Sequence, residues 1–365
     1  QSFAENVEIE SPAACLMELT TGKILYEKEA DTRRSPASVT KIMTTLLIME
    51  AIKSGKITLQ DEVVTSAHAK SMGGSQVFLE EGEKQTVDTL LKCILVASGN
   101  DASVAMAEYI GGSEEAFVQK MNERAAALGM ENTHFVDCCG LTDSDDHYTT
   151  PRDIAIMSRE LLLNFPQIEQ YTTIWMEDIT HVTARGSSAF GLTNTNKLLR
   201  SYDGCIGVKT GFTDSARRTL VSCAERNGVR LIAVTLNAPN DWSDHAKMLD
   251  YGFKKVTLCE MKYDSSALSL SVVGSEKETV GVECGIVKLP LCNEQKDKIT
   301  AEIYMPKFIY AGLAAGEKVG EIHYLLNGNT IATAPLQTAE SCVQKERKTD
   351  FFTVIYKFIA GLLTR

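Results

Sequence analysis

Apolar and polar positions change their period several times along the chain. Ala13 to Met17 and Lys23 to Tyr26 are apolar, β-prone runs separated by Thr21-Gly22, which predicts a hairpin opening a sheet. From Ser38 to about Ile52 the residues Val39, Ile42, Met43, Leu46, Leu47 and Met49 recur at helical spacing, so Ser38 stands at the start of a buried helix. Helical periods continue over 87–96, 100–110 and 114–128, the last ending at Gly129. Thr150-Pro151-Arg152-Asp153 sets a cap, a helix-opening proline and an acidic third residue in sequence, predicting a helix to Leu163. Beyond it the period returns to strands over 207–210, 218–224 and 230–236, followed by a helix near His245 to Tyr251. Strands at both ends with helices between predict an α+β domain over 1–256 whose terminal strands join one mostly antiparallel sheet.

Short β-prone runs at 268–273, 281–287, 299–304 and 319–326, broken by turn signals such as Asn327-Gly328, predict a small all-β domain over 257–341. The tail, 342–365, differs again. Phe351, Phe352, Ile355, Phe358, Ile359, Leu362 and Leu363 fall on one helical face, with Lys357 and Thr364 opposite. A helix over 350–365 is roughly 24 Å long, short of the ~30 Å hydrocarbon core, so it is expected to lie in the membrane interface rather than to span. Lys345, Arg347 and Lys348 would add attraction to anionic headgroups. The alternative is a helix docked on its own protein.

With 365 residues, 44% hydrophobic and 23% charged, the chain can bury the cores of two domains. A net charge of −11 argues against nucleic acid as a partner, because a binding face needs clustered lysine and arginine. Gln1 opens onto a polar stretch with no start Met or secretion signal, as expected of a mature or trimmed product. Ten cysteines include no Cys-x-x-Cys, and histidine is sparse, so free thiols are expected and neither a metal nor another cofactor. Cys205 is conceivable as a nucleophile, but no histidine follows it at a telling distance.

Three short strings carry the candidate chemistry: Ser38-Val-Thr-Lys41, Ser98-Gly-Asn100 and Lys209-Thr-Gly211. A serine hydroxyl needs a base within hydrogen-bond reach, and Lys41, three residues on along a helix, shares its face. Burial and a second cation, Lys209, would both depress the Lys41 pKa far enough for it to accept a proton. Ser98-Gly-Asn100 falls between two helices, where Gly99 permits a sharp turn. Ser98 could there pass a proton to a leaving amine and Asn100 hold a peptide backbone. Lys209 and Thr210 would bind a carboxylate from a strand edging the cleft. Gly211 would leave room for a substrate strand, and the Phe212 N–H would join that of Ser38 as an oxyanion donor.

These residues resemble the active site of the low-molecular-weight penicillin-binding proteins, the serine D-alanyl-D-alanine carboxypeptidases, whose catalytic fold is β-lactamase-like. The resemblance extends through Ser35-Pro-Ala-Ser-Val-Thr-Lys41, Val96-Ala-Ser-Gly-Asn-Asp101, Thr193-Asn-Thr-Asn-Lys-Leu198, Gly207-Val-Lys-Thr-Gly-Phe-Thr213, the β-rich second domain and the tail. It implies that a peptidoglycan stem peptide ending in D-Ala-D-Ala acylates Ser38, that the last D-alanine leaves and that water frees the enzyme. It further implies β-lactam sensitivity and attachment to the outer face of the cytoplasmic membrane. The family often places a carboxylate-binding arginine after the strand equivalent to 230–236. Here Asn240-Asp-Trp-Ser-Asp244 has none, which leaves Arg217 or Arg218 as substitutes, Arg218 being preferred. Phe212 stands where some relatives have smaller or polar residues.

Rival readings remain at this point. Glu160-Leu-Leu-Leu-Asn164 mimics the string that positions a deacylating water in one class of serine β-lactamase, although Glu160 also continues a helix. A cell-wall binding or scaffolding protein with a vestigial site is a second alternative. A Ser-His-Asp hydrolase lacks its Gly-x-Ser-x-Gly elbow, and His147 in Asp145-Asp146-His147-Tyr148 is expected to be a solvated loop residue.

Overall fold

Two apolar clusters, one on each face of a five-stranded sheet, organise the larger part of the chain. In the computed structural model, which describes residues 7–346, 355–356 and 359–360, the sheet is built from β1 (Ala13–Glu18), β2 (Ile24–Lys28), β3 (Cys205–Thr213), β4 (Arg217–Arg226) and β5 (Val229–Leu236). Its order is β2-β1-β5-β4-β3, antiparallel throughout. Alternate residues of the central strands feed opposite faces: Ala13, Cys15 and Met17 of β1 join one cluster and Ala14 and Leu16 the other. Burial on both sides explains why β1 reads as an unbroken apolar run rather than an alternating one.

The helices α1 (Lys41–Lys53), α2 (Val87–Leu95), α3 (Asn100–Gly111), α4 (Glu114–Ala127) and α5 (Pro151–Asn164) gather in the first cluster, while α6 (Asp241–Lys255) covers the other face. Their starts follow side-chain capping. Thr86, Ser113 and Thr150 each accept a backbone N–H three residues on, and Pro151 occupies the first helical position of α5. The mid-chain sequence shows no clear signal for the antiparallel hairpin Met176–Thr183 with Gly186–Thr193, whose strands expose most residues.

The chain divides into two compact units, Gln1–Leu258 with Pro290–Asn293 and Cys259–Leu289 with Glu294–Arg365. The second holds a six-stranded sheet of β6 (Ser269–Val273), β7 (Thr279–Cys284), β8 (Ile299–Tyr304), β9 (Phe308–Tyr310), β10 (Lys318–Leu326) and β11 (Asn329–Thr338). The order is β8-β10-β11-β7-β6-β9, with β9 running parallel to β6. Asn327-Gly328, both at positive φ, turn β10 into β11. The helix expected over 350–365 falls outside the described residues apart from 355–356 and 359–360. No helix among the described residues is long and apolar enough to cross a membrane.

Candidate active site

Ser38 sits in a 3-10 turn, Ala37–Thr40, that runs straight into α1, so the helix proper begins at Lys41 rather than at the serine. The turn still puts both side chains on one face. Lys41 Nζ lies 2.9 Å from Ser38 Oγ, 2.7 Å from Asn100 Oδ1 and 2.9 Å from the Cys139 carbonyl, with the lysine fully buried. Asn100 Nδ2 donates to the Gly73 carbonyl at 2.8 Å, which fixes the amide with its oxygen toward Lys41. Two of the three partners of Nζ can therefore only accept. A charged amine donates to all three partners; once neutral it keeps two N–H donors for the two obligate acceptors and turns its lone pair to the Ser38 hydroxyl. Burial lowers the Lys41 pKa below its ordinary value, more than the nearby acidic groups, Asp137 and Asp101 among them, raise it.

The second and third strings meet at Ser98, whose Oγ lies 2.9 Å from Lys209 Nζ. Lys209 is 2% exposed and also donates to the Thr210 carbonyl at 2.9 Å. Burial, and after it the charge of Lys41, drive its pKa well below the ordinary lysine range. The sharp turn expected at Gly99 is made by Ser98 itself, which takes φ +60° while Gly99 stays at −57°. Strain at a non-glycine beside a buried cation is a mark of a functional position.

Gly211 works differently from the sequence expectation. A Cβ there would lie 2.8 Å from the Ser38 amide nitrogen and 2.3 Å from Thr219 Oγ1, so the missing side chain lets β3 close on the Ser38 turn. Thr219 Oγ1 adds a hydrogen bond to the Pro36 carbonyl at 3.0 Å, tying that turn to β4. Phe212 follows Gly211 with its ring 60% exposed. Thr210 Oγ1 is 2.5 Å from Thr195 Oγ1, a hydroxyl that the sequence reading placed only within the Thr193–Leu198 stretch.

Further residues escaped the sequence reading. The Cys139 carbonyl reaches Lys41 from the loop 129–150, where Asp137 accepts the N–H groups of Cys139, Gly140 and Thr142. No side-chain pattern announces a backbone acceptor, although an Asp three residues before a glycine is a turn signal. His147 is 1% exposed, not solvated as expected: its Nδ1 accepts the Val136 N–H at 3.0 Å, so Nε2 carries the hydrogen toward Thr40 Oγ1 at 2.9 Å. Burial lowers its pKa, opposed by Asp137, and keeps it a neutral brace behind the Ser38 turn.

Other candidates lie elsewhere or are otherwise engaged. Arg218, expected at a substrate carboxylate, gives Nε and Nη2 to the buried Asp241 at 3.1 and 2.8 Å and stacks over Trp242. That ion pair, not a substrate, takes two of its donor groups. Glu160 is half-buried on α5 and paired with Arg124 at 2.6 Å, alongside Glu50. Cys205 is a free thiol whose pKa burial raises, the opposite of what a nucleophile needs.

Comparison with known proteins agrees with this geometry. The profile of the family described as D-alanyl-D-alanine carboxypeptidase matches residues 1–240, and that described as penicillin-binding protein 5, C-terminal domain, matches residues 262–344. The chain is 40% identical to D-alanyl-D-alanine carboxypeptidase DacF of Bacillus subtilis (strain 168), covering 95% of this chain and 88% of that one. It is 33% identical to D-alanyl-D-alanine carboxypeptidase DacC of Escherichia coli (strain K12), covering 98% and 91%. Among solved structures, a peptidoglycan synthesis regulatory factor (PBP3) from Streptococcus pneumoniae superimposes with a TM-score of 0.73 at 27% identity, over 92% of this chain and all of that one. The D-alanyl-D-alanine carboxypeptidase DacD from Francisella tularensis gives 0.68 at 28%, over 94% and 96%. A serine and a buried lysine in hydrogen-bond contact, inside a fold and a sequence shared with these proteins along nearly their whole length, place the chain in the D-alanyl-D-alanine carboxypeptidase family as a low-molecular-weight penicillin-binding protein of the serine type.

Proposed function

We propose that Ser38 is the nucleophile of this carboxypeptidase and Lys41 its general base, acting on peptidoglycan stem peptides that end in D-Ala-D-Ala. The observation that carries the assignment is the contact of the buried Lys41 Nζ with Ser38 Oγ, with Asn100 Oδ1 and the Cys139 carbonyl holding the amine where it can receive the serine proton once it is neutral. In this mechanism Ser38 Oγ attacks the carbonyl of the penultimate D-alanine as its proton passes to Nζ. The tetrahedral oxyanion is held by the amides of Ser38 and of Phe212, the residue that follows Gly211 where β3 closes on the Ser38 turn. Collapse breaks the peptide bond, and the proton reaches the leaving D-alanine amine through Ser98 Oγ. Lys209, Thr210 and Thr195 attract the terminal carboxylate; Asn100 positions Lys41, its amide nitrogen being engaged by Gly73. Water then hydrolyses the acyl-enzyme. A β-lactam, which presents a carboxylate and a strained amide in the same relation, would acylate Ser38 by the same steps.

Incubation with a D-Ala-D-Ala pentapeptide is expected to release one free D-alanine per peptide, and labelled penicillin to modify Ser38 and no other residue. Absence of both products would favour the scaffolding alternative. The β-lactamase alternative requires Glu160 to drive deacylation. Its ion pair with Arg124 argues otherwise, so Glu160→Gln is expected to release bound penicilloyl group at the parent rate, checked by intact mass over time.

The acylation rate has a predicted pH profile. Lys41 must be neutral to act, and its pKa is lowered from 10.5, so the rate rises with pH through a value below 10.5 as its proton leaves. Lys209 must be charged to hold the carboxylate; its pKa is lowered by burial and then by the charge of Lys41, and once Lys41 is neutral that second cause is gone, so Lys209 keeps its proton to higher pH and the rate falls again only as it is lost. Charging one amine opposes charging the other, hence both limbs belong to the pair. Second-order rate constants for penicillin acylation across pH test this, and a flat profile contradicts it.

The proposed limits 1–256 and 257–341 draw support from the division into two compact units and from the two profile matches, while 342–365 is set apart by its sequence pattern alone. For the last segment the amphipathic pattern and upstream basic residues support attachment to a membrane surface, on the outer face where the substrate lies. Vesicle flotation of the full chain, compared with a chain ending at residue 346, checks this.

A further inference from the structure

Next to the Ser98 string the structure holds an aromatic site that the mechanism above does not use. The segment 73–79 lies directly on that string: the Asn100 N–H donates to the Ser75 carbonyl at 2.8 Å, and a Cβ on Gly99 would sit 3.3 Å from Val77. The buried Asp101 carboxylate accepts the N–H groups of both Val77 and Leu79, at 3.2 and 3.0 Å. Between those two anchors Phe78 adopts φ +61° with its ring 63% exposed. A large side chain is thus held in a left-handed conformation and turned to solvent, which neither burial nor local preference explains. Phe78 lies three positions along the chain from Ser75, at most about 11 Å away.

The Phe78 ring meets Phe190 edge-on at 5.8 Å, and Phe190 meets His181 at 5.6 Å. Together with Ser187 and Ser188 these residues line a cavity of about 400 Å³ between the 73–82 segment and the 176–193 hairpin. His181 is 7% exposed. Its Nδ1 is held by the buried Glu83 at 2.7 Å, and Gln85 fixes Glu83 in turn at 2.8 Å. Its Nε2 is buried and has no partner among the described residues. A buried polar atom left open, on a ring oriented by two further side chains, indicates a ligand group rather than packing.

We propose that Phe78, Phe190 and His181 form a subsite for the acyl-side extension of the peptide substrate, taking residues that precede the D-Ala-D-Ala unit. Aliphatic stems of that extension lie against the two rings, and a polar group of its backbone satisfies His181 Nε2. The strained Phe78 backbone, pinned by the residue after Asn100, couples this wall rigidly to the catalytic string, so it reads substrate length without touching the reacting atoms. The proposal rests on the acyl-transfer reading above and adds the part of the peptide that is recognised.

The test compares three substrates on the full chain: a D-Ala-D-Ala pentapeptide, N-acetyl-D-Ala-D-Ala and benzylpenicillin. Phe78→Ala and Phe78→Gly are both expected to raise KM for the pentapeptide about tenfold, as loss of an aromatic wall does. Neither should change kcat/KM for the acetylated dipeptide or the acylation rate with penicillin. Phe78→Gly should also melt higher than Phe78→Ala, since glycine accepts the positive φ. His181→Phe tests the second element and should raise the pentapeptide KM alone. Equal losses on long and short substrates would show that Phe78 only shapes the catalytic string, and no loss on the pentapeptide would show an unused surface; either overturns the subsite. If the parent itself is inert to penicillin, the Ser38 reading fails first, and the parent measurement reveals that separately.

Discussion

Lys41→Met is expected to slow acylation by penicillin and by D-Ala-D-Ala peptides by about 10²-fold to 10⁴-fold, the range a general base supplies. Methionine keeps most of the lysine stem and so fills the space between Ser38, Asn100 and the Cys139 loop. It removes the amine that lies within hydrogen-bond distance of Ser38 Oγ and can take its proton. The stability effect should be small, because two opposing terms change together. A buried amine is no longer desolvated, while Asn100 Oδ1 and the Cys139 carbonyl lose a donor, at about 1–3 kcal/mol each. Acylation followed by intact mass, with thermal melting as the control for folding, separates the two. A variant that melts like the parent and acylates at the parent rate would remove Lys41 from the chemistry.

Gly140→Ala should be the most damaging single methyl group in the catalytic unit. Gly140 takes φ +78°, and a Cβ there would stand 1.8 Å from the Ala37 carbonyl oxygen and 2.9 Å from Thr40 Oγ1. The first of these is backbone, and it belongs to the turn that carries Ser38, so the clash cannot be relieved by rotating a side chain. Strain at the positive φ and displacement of the turn together should cost about 2–4 kcal/mol of stability. The displacement also moves Ser38 relative to Lys41 and pulls the neighbouring Cys139 carbonyl off the amine. A shift of roughly 1 Å in such a constellation reduces rate by about 10²-fold. Melting temperature and penicillin acylation rate measured together should both fall. Gly55→Ala, at φ +73° with open space around it, should show a far smaller loss of stability and normal acylation.

What was legible in the sequence was the chemistry set by local spacing. Ser38 and Lys41 share a face because residues three apart do so in either a 3-10 turn or an α-helix, so the pairing did not depend on where the helix began. The capped start of α5 and the antiparallel core strands were readable for similar reasons. The features missed are tertiary. The Cys139 carbonyl reaches Lys41 across 98 residues, and only the fold brings the 129–150 loop there. His147 and Asp241 show the same limit from the opposite direction. A histidine among acids reads as solvated until Thr40 is seen to accept its hydrogen bond, and nothing in the sequence announces that Arg218 pairs with a buried Asp241. At Gly211 the sequence suggests room for a substrate strand, while the fold shows that the missing side chain makes room for the protein's own Ser38 turn.

The account stands on Lys41 being the uncharged partner of Ser38. Selective ¹⁵N labelling of lysine, with Lys41→Met to assign the signal, reports the protonation of its Nζ directly as pH is varied. The mechanism predicts that this nitrogen loses its proton below the 10.5 of an ordinary lysine, in the pH range where acylation rises. An Nζ that remains an ammonium group up to that value, while the enzyme acylates at full rate, would contradict it.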